Sequence, residues 1–273
     1  MKLTHSHPLS GRGAARDQFR VRITGLAVAT DRTLFATGDR EVKSFSPAGE
    51  FLGRFETRDA AWSVAVDEDS LWLGMQGRLE RVDLQGNLIA AIDDARLGLL
   101  TGVAARAGRL LAADATHKCL HLFQDGRWVR QVGDDVNTRG FMFPNGVLTV
   151  AFDPQNPSFI VAHPQKHRVE RYDIDGKLIG KFGRFGHDNP ADFGGCCNPT
   201  TCAVAPAGLV LVGEKAPPHV KIFNPEGEFL AMTPEDAFDA SAKNQFLAAD
   251  DQGRIYATDS VRGTIEVFDA ADG

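Results

Sequence analysis

The 273-residue chain has only four cysteines, too few for a disulfide-dense scaffold. No Cys-x-x-Cys spacing occurs, so neither a zinc-knuckle nor a thioredoxin-like motif is encoded. No apolar run reaches the length of about 18 residues that a membrane-spanning helix needs. The opening residues, Met1-Lys2-Leu3-Thr4-His5-Ser6-His7, lack the apolar core of a secretory signal. The expected compartment is the cytoplasm, or the periplasm or exterior if a signal has been removed. No stretch sustains helical periodicity over several turns, which argues against α/β classes. Positive charge is not in excess either: 30 Lys and Arg against 36 Asp and Glu leave a net charge of −6. With no strand that interleaves aromatic and basic residues, nucleic acid is not an expected partner.

What the chain does have is a repeat. Short apolar strands open at Gly25, Ser63, Gly102, Gly146, Thr201 and Phe246, spaced 38 to 55 residues apart. Each is followed by a second strand, such as Phe159-Ile160-Val161-Ala162. A third strand then ends in an aromatic or apolar residue and a turn, such as Tyr172-Asp173-Ile174-Asp175-Gly176 or Phe223-Asn224-Pro225-Glu226-Gly227. The glycines supply the positive φ that tight turns require. Four short strands per repeat of this length describe a propeller blade. The expected fold is therefore all-β: a single six-bladed β-propeller of four-stranded antiparallel blades around a central channel. Blades are expected to start near residues 23, 61, 100, 144, 199 and 244. The last blade ends after its third strand. Residues 2–8 are expected to supply its fourth, within a leader of residues 1–22 in which residues 9–18 are the connection.

The copies resemble NHL repeats, most closely where Lys166-His167-Arg168-Val169 and Asp173-Ile174-Asp175-Gly176 stand in blade 4. The resemblance covers roughly residues 23–269. The aspartate that usually ends the second strand is kept at Asp114 and Asp259, and becomes His163 in blade 4 and Glu214 in blade 5. In the wiring this resemblance implies, the loops entering each inner strand and those between second and third strands share one face, here called the top, where function usually gathers.

Two entry loops are long, residues 133–144 and residues 183–199; such loops in a compact domain are commonly functional. The second carries His187 and the adjacent Cys196 and Cys197. Topology should bring these near His163, Lys166, Glu214 and Lys215, with Asn145 and Trp62 on the channel rim. The cysteine pair admits three readings. It is a strained vicinal disulfide, a site for copper, zinc or an iron–sulfur cluster with His163 and the further thiols Cys119 and Cys202, or buried structural thiols. Lys118, Arg139, Lys166, Arg168, Arg184 and Lys215 make the same sector locally positive, which suits an anionic ligand or an acidic protein surface.

Six-bladed propellers that act as lyases or hydrolases project histidines or carboxylates from several inner strands. Here the rim reads Thr24, Trp62, Thr101, Asn145, Thr200 and Gln245, which disfavours that chemistry. The leading expectation is a binding protein that docks a ligand or protein partner on its top face. A redox or metal protein built on Cys196 and Cys197 is the alternative, and a propeller lyase or hydrolase a more distant one.

Overall fold

The computed structural model describes residues 1–133 and 140–271. Among these residues the strands form six four-stranded antiparallel sheets, each contiguous in sequence except the last. The only helical segment in the described residues is a single 3-10 turn, Pro164–Lys166. The expected six-bladed, all-β architecture is the one observed.

The strands differ in burial as their place in a blade demands. Second strands such as Leu34–Gly38 and Ser158–His163 are buried along their whole length. Outer strands such as Phe51–Glu56 alternate half-buried and exposed residues, because only one face meets the neighbouring blade. Turns on the bottom face are set by aspartates. Asp83 Oδ1 accepts the N–H groups of Gln85 (2.9 Å) and Asn87 (2.8 Å), and Asp173 Oδ1 those of Asp175 (3.0 Å) and Lys177 (2.8 Å). Gly86 and Gly176 complete these turns at φ of 92° and 91°, which costs glycine nothing.

The ring closes through its N-terminus. The strand Lys2–Ser10 pairs antiparallel with Thr264–Ala271 and becomes the outer strand of the sixth blade. Leu3 and Leu9 on this strand are buried in two different inter-blade cores. Closure therefore joins residues from opposite ends of the chain into the same hydrophobic packing.

At the top of the inner strands, hydroxyls tie successive blades from the first to the sixth. Thr24 Oγ1 donates to Ala61 O (2.7 Å), Ser63 Oγ to Leu100 O (2.9 Å), Thr101 Oγ1 to Leu148 O (3.0 Å) and Thr201 Oγ1 to Gln245 O (2.6 Å). Between blades 4 and 5 the sense reverses, and Cys202 N–H donates to Thr149 Oγ1 (2.9 Å). The rim hydroxyls Thr24 and Thr101 are thus engaged in these contacts. The central channel below them encloses about 220 Å³ and is walled by small residues, among them Ala27, Ala65, Ala104, Ala151 and Ala203.

One inner strand differs from the sequence reading. In blade 4 it spans Val150–Phe152 and not residues 146–150. Gly146 instead closes a turn, its N–H on Phe143 O at 3.3 Å and its φ at 73°. That turn holds Asn145 over the channel mouth.

Candidate functional site at the channel mouth

Lys215, at the end of the second strand of blade 5 (Val210–Lys215), reaches toward blade 4. Its Nζ donates to Asn145 Oδ1 at 2.6 Å. From blade 6, Asn244 Nδ2 donates to Asn145 O at 3.4 Å. Three blades thus meet above the channel through polar side chains. Four polar atoms here are buried with no partner among the described residues: Asn145 Nδ2, Asn244 Oδ1, and Nε2 and Oε1 of the fully buried Gln245. Unpartnered buried polar atoms are costly and call for a water or a ligand.

Residues 183–199 form the adjoining wall. Asn198, fully buried, pins this segment: its Nδ2 donates to Gly194 O (2.8 Å) and its Oδ1 accepts Lys215 N–H (2.9 Å). The neighbouring Cys196 is exposed and Cys197 is buried. The two are reduced, with their sulfurs 3.5 Å apart. Burial and then the adjoining Cys196 push the Cys197 thiol up, against the opposing pull of the Lys215 ammonium.

The structure separates several residues that the sequence reading grouped. His163 does not approach the cysteines. It is fully buried inside blade 4, where Nε2 accepts Met142 N–H at 3.1 Å. Its Nδ1 lies 3.2 Å from Glu170 Oε1, at an angle short of a hydrogen bond. The cause is strand geometry: His163 is the last residue of Ser158–His163, and its ring turns between the strands under Phe141, 5.5 Å away between centroids. The set Cys196, Cys197 and His163 is therefore not assembled as a metal centre. Glu214 is also drawn inward, paired with Lys221 Nζ at 2.8 Å.

The four thiols occupy three separate places and form no four-sulfur cluster. Cys202 Sγ sits 3.7 Å from Thr149 Oγ1 between blades, and burial pushes its thiol up to about 12. Cys119 lies in blade 3, 3.7 Å from His121 Nε2. Trp62 is half-buried beneath the Arg22 guanidinium, 4.1 Å from its ring, so the chain covers that stacking face itself. Lys166 and His187 are exposed on the top loops; His187 meets the Phe185 ring edge-on at 5.2 Å. Arg139, and residues 134–139 of the first long loop, lie outside the described residues.

Sequence reasoning missed a sixfold feature. One residue near the start of each third strand lies opposite a small or apolar residue, yet is ionisable and buried: Lys43, Glu80, His121, Glu170, Lys221 and Glu266. The signal was present as an apolar residue, an ionisable one, any residue and then an aromatic or apolar one, as in Val169-Glu170-Arg171-Tyr172 or Val220-Lys221-Ile222-Phe223. Each of the six finds a partner: Glu80 has Arg78 at 2.7 Å and Glu266 has His5 at 2.7 Å.

In blade 3 this position assembles Asp114, Cys119 and His121, the only group among the described residues with donor spacing suited to a metal. Those donors are already committed. Trp128 Nε1–H points at His121 Nδ1 (3.4 Å), which leaves the proton on Nε2, facing Asp114 Oδ2 at 3.1 Å. A protonated Nε2 is not a ligand. The Asp114 oxygens also accept N–H groups from Gly98, Thr116 and His117. The trio is an internal network, not a metal centre.

No family model matches the chain, and no curated protein matches it. Among solved structures it is similar to the WD40 β-propeller domain of Doa1. The TM-score is 0.65, over 92% of this chain and 79% of that one, with 13% sequence identity. At such an identity the likeness defines the class of protein, a β-propeller, and goes no further.

Proposed function

We propose that this chain is a binding propeller of NHL type that seats a carboxylate of a protein partner at the top channel mouth. The observation that carries this reading is the donor pair of Lys215 Nζ and the unpartnered Asn145 Nδ2, held together by the 2.6 Å bond between Lys215 and Asn145 Oδ1. A carboxylate has two acceptor oxygens and suits two such donors. Charge supports the choice of face. The bottom turns are dominated by exposed acids such as Asp31, Glu68, Asp69, Asp125, Asp175 and Glu226, whereas exposed top loops carry Arg20, Arg40, Lys118, Lys166, Arg184 and Lys243. An acidic partner is steered toward the top and away from the bottom. The channel wall, built of alanine and other small side chains, offers no set of acid–base groups for catalysis.

The test is titration with N-acetyl-glutamate amide, and separately with inorganic phosphate, followed by side-chain amide NMR signals. The expected result is that Asn145, Asn244 and Gln245 respond to the carboxylate, and that Lys215→Met abolishes the response. Shifts scattered over the exposed lysines and arginines, or a response to phosphate alone, would defeat the reading.

A further inference from the structure

Cys196 and Cys197 are neighbours in sequence, reduced, and 3.5 Å apart at sulfur. Cys196 is exposed, so a solute reaches the pair from the top face. The segment that carries them is anchored just after Cys197 by Asn198, through Gly194 O and Lys215 N–H. The two sulfurs are thus presented together by a fixed backbone, with the Lys215 ammonium close enough to Cys197 to act on its thiol.

The sulfur separation selects among centres that bind thiols. With bonds to sulfur of about 2.3 Å, a separation of 3.5 Å subtends about 100° at a bridging atom. That angle fits a pyramidal or tetrahedral centre. A linear two-coordinate ion needs sulfurs on opposite sides, about twice the bond length apart. A structural zinc site wants two more protein donors, and among the described residues no His, Cys, Asp or Glu donor joins these two sulfurs in a cluster. What remains is a centre content with two protein thiols.

We propose that Cys196 and Cys197 form a dithiol site for a trivalent thiophilic centre that brings its own third substituent, the chemical type being a monosubstituted arsenical. In the reaction two arsenic–oxygen bonds of the hydrated arsenical break and two arsenic–sulfur bonds form. The two thiol protons leave with the two hydroxyls as water, and no electrons change hands. No external oxidant or metal is needed, and thiols still carrying their protons are competent. The site stands independently of the carboxylate reading: its atoms are the two sulfurs, not the amides of the mouth.

The probe is phenylarsine oxide, added to the reduced full-length chain and followed by intact-mass spectrometry. The expected result is one equivalent bound, retained in excess glutathione and released by 2,3-dimercaptopropanol. Each of Cys196→Ser and Cys197→Ser should weaken retention by about 100-fold or more, because the second sulfur no longer acts at high effective concentration. Cys119→Ser and Cys202→Ala should bind as the parent does. Bound arsenical should also protect Cys196 and Cys197, and not Cys119, from alkylation in the unmutated chain, a readout independent of variant folding. An adduct that persists in Cys196→Ser or Cys197→Ser, that glutathione removes, or that forms only after unfolding overturns the proposal.

Discussion

Lys43 and Lys221 are the same residue in two settings. Each lies in a third strand, two residues before its closing phenylalanine, in blades 1 and 5, and each is buried. Lys43 Nζ pairs with Glu41, donates to Arg16 O at 3.0 Å and lies 5.1 Å from the Phe19 ring. Lys221 Nζ pairs with Glu214, donates to Asp192 O at 2.6 Å and lies 5.4 Å from the Phe193 ring. The carboxylate comes from the third strand in one blade and from the second in the other, yet the ammonium ends in the same three-sided cage. In both blades the cage fastens the top entry segment, residues 11–24 or residues 183–199, to the body of its blade.

Because the Lys221 cage is closed to water, its two charges cannot be separated cheaply. Lys221→Met leaves Glu214 uncompensated and should cost about 3 kcal/mol. Burial already pushes the Glu214 carboxyl up. That shift favours the protonated form in the folded state, so its contribution to stability is present at low pH and lost as pH rises. The Lys221→Met deficit should accordingly shrink on acidification. Replacing both residues, Lys221→Met with Glu214→Leu, should return stability to within about 1 kcal/mol of the parent. Urea unfolding of the parent, Lys221→Met, Glu214→Leu and the double variant at two pH values measures the cycle. A double variant no better than Lys221→Met would show that the cage matters for more than charge pairing.

Glu170 makes the opposite prediction. Burial, the largest influence, raises its carboxyl, but the close His163 ring and the hydrogen bonds from Tyr172 and Arg168 together prevail and hold it down at about 2. A depressed folded value means stability that is present above the ordinary value of 4.5 and lost as pH falls through about 2. The interval is worth about 3 kcal/mol. Glu170→Gln should flatten the acid limb of the stability profile between those limits while costing about 2 kcal/mol near neutrality. Unfolding free energies of both proteins at pH 7 and pH 3 decide it. Parallel acid limbs would place the acid sensitivity elsewhere, Asp114 being the other strongly depressed buried carboxyl.

These two residues also mark where the sequence stopped being legible. The repeat length, the Asp-x-x-Gly turns and the aromatic closing each third strand revealed six four-stranded blades, since those features are local and recur. Lys215 and Asn145 could be assigned to one face, because strand connectivity alone puts both on top. His163 and Glu214 could be placed along the chain but not in depth: the end of a second strand may face the rim or the blade interior, and the packing of Phe141 and Lys221 decides. Lys43, Glu80, His121, Glu170, Lys221 and Glu266 were overlooked because a strand residue of ionisable type ordinarily reads as solvent-facing. Only the sixfold recurrence of the position marks it as interior.

Ring closure by the N-terminal strand predicts a long-range dependence. Leu9 is buried against Ile265 and the blade 1 core, and Leu3 against Phe268. Leu9→Ala should cost about 3 kcal/mol, lowering the melting temperature by roughly 5–10 °C. Deleting residues 1–10 should cost more, and a synthetic peptide of that segment added in trans should restore part of the loss in a concentration-dependent manner. Calorimetry of the truncated chain with and without peptide is the measurement. A truncated chain that melts like the parent would mean the strand decorates the ring without closing it.

The hydroxyl ties between blades are not equivalent, and Thr101 should be the most sensitive. Its Oγ1 donates to Leu148 O at 3.0 Å and accepts Leu148 N–H at 2.9 Å, so one side chain satisfies both backbone groups of a buried residue. Thr24 Oγ1 in the corresponding place donates to one backbone group across the blades, Ala61 O, and also lies 3.2 Å from Thr37 Oγ1 in its own blade. Thr101→Val keeps the shape but strands a buried donor and a buried acceptor, for an expected loss of about 2–3 kcal/mol. Thr24→Val strands one backbone acceptor and no backbone donor, and should lose about 1 kcal/mol. Thr101→Ser restores the hydroxyl and should recover most of the deficit, which separates the hydrogen bonds from the packing of the methyl group. Chemical denaturation ranks the three variants; if Thr24→Val proves as costly as Thr101→Val, the reciprocal bond to Leu148 adds nothing, and the ties between blades act through shape alone.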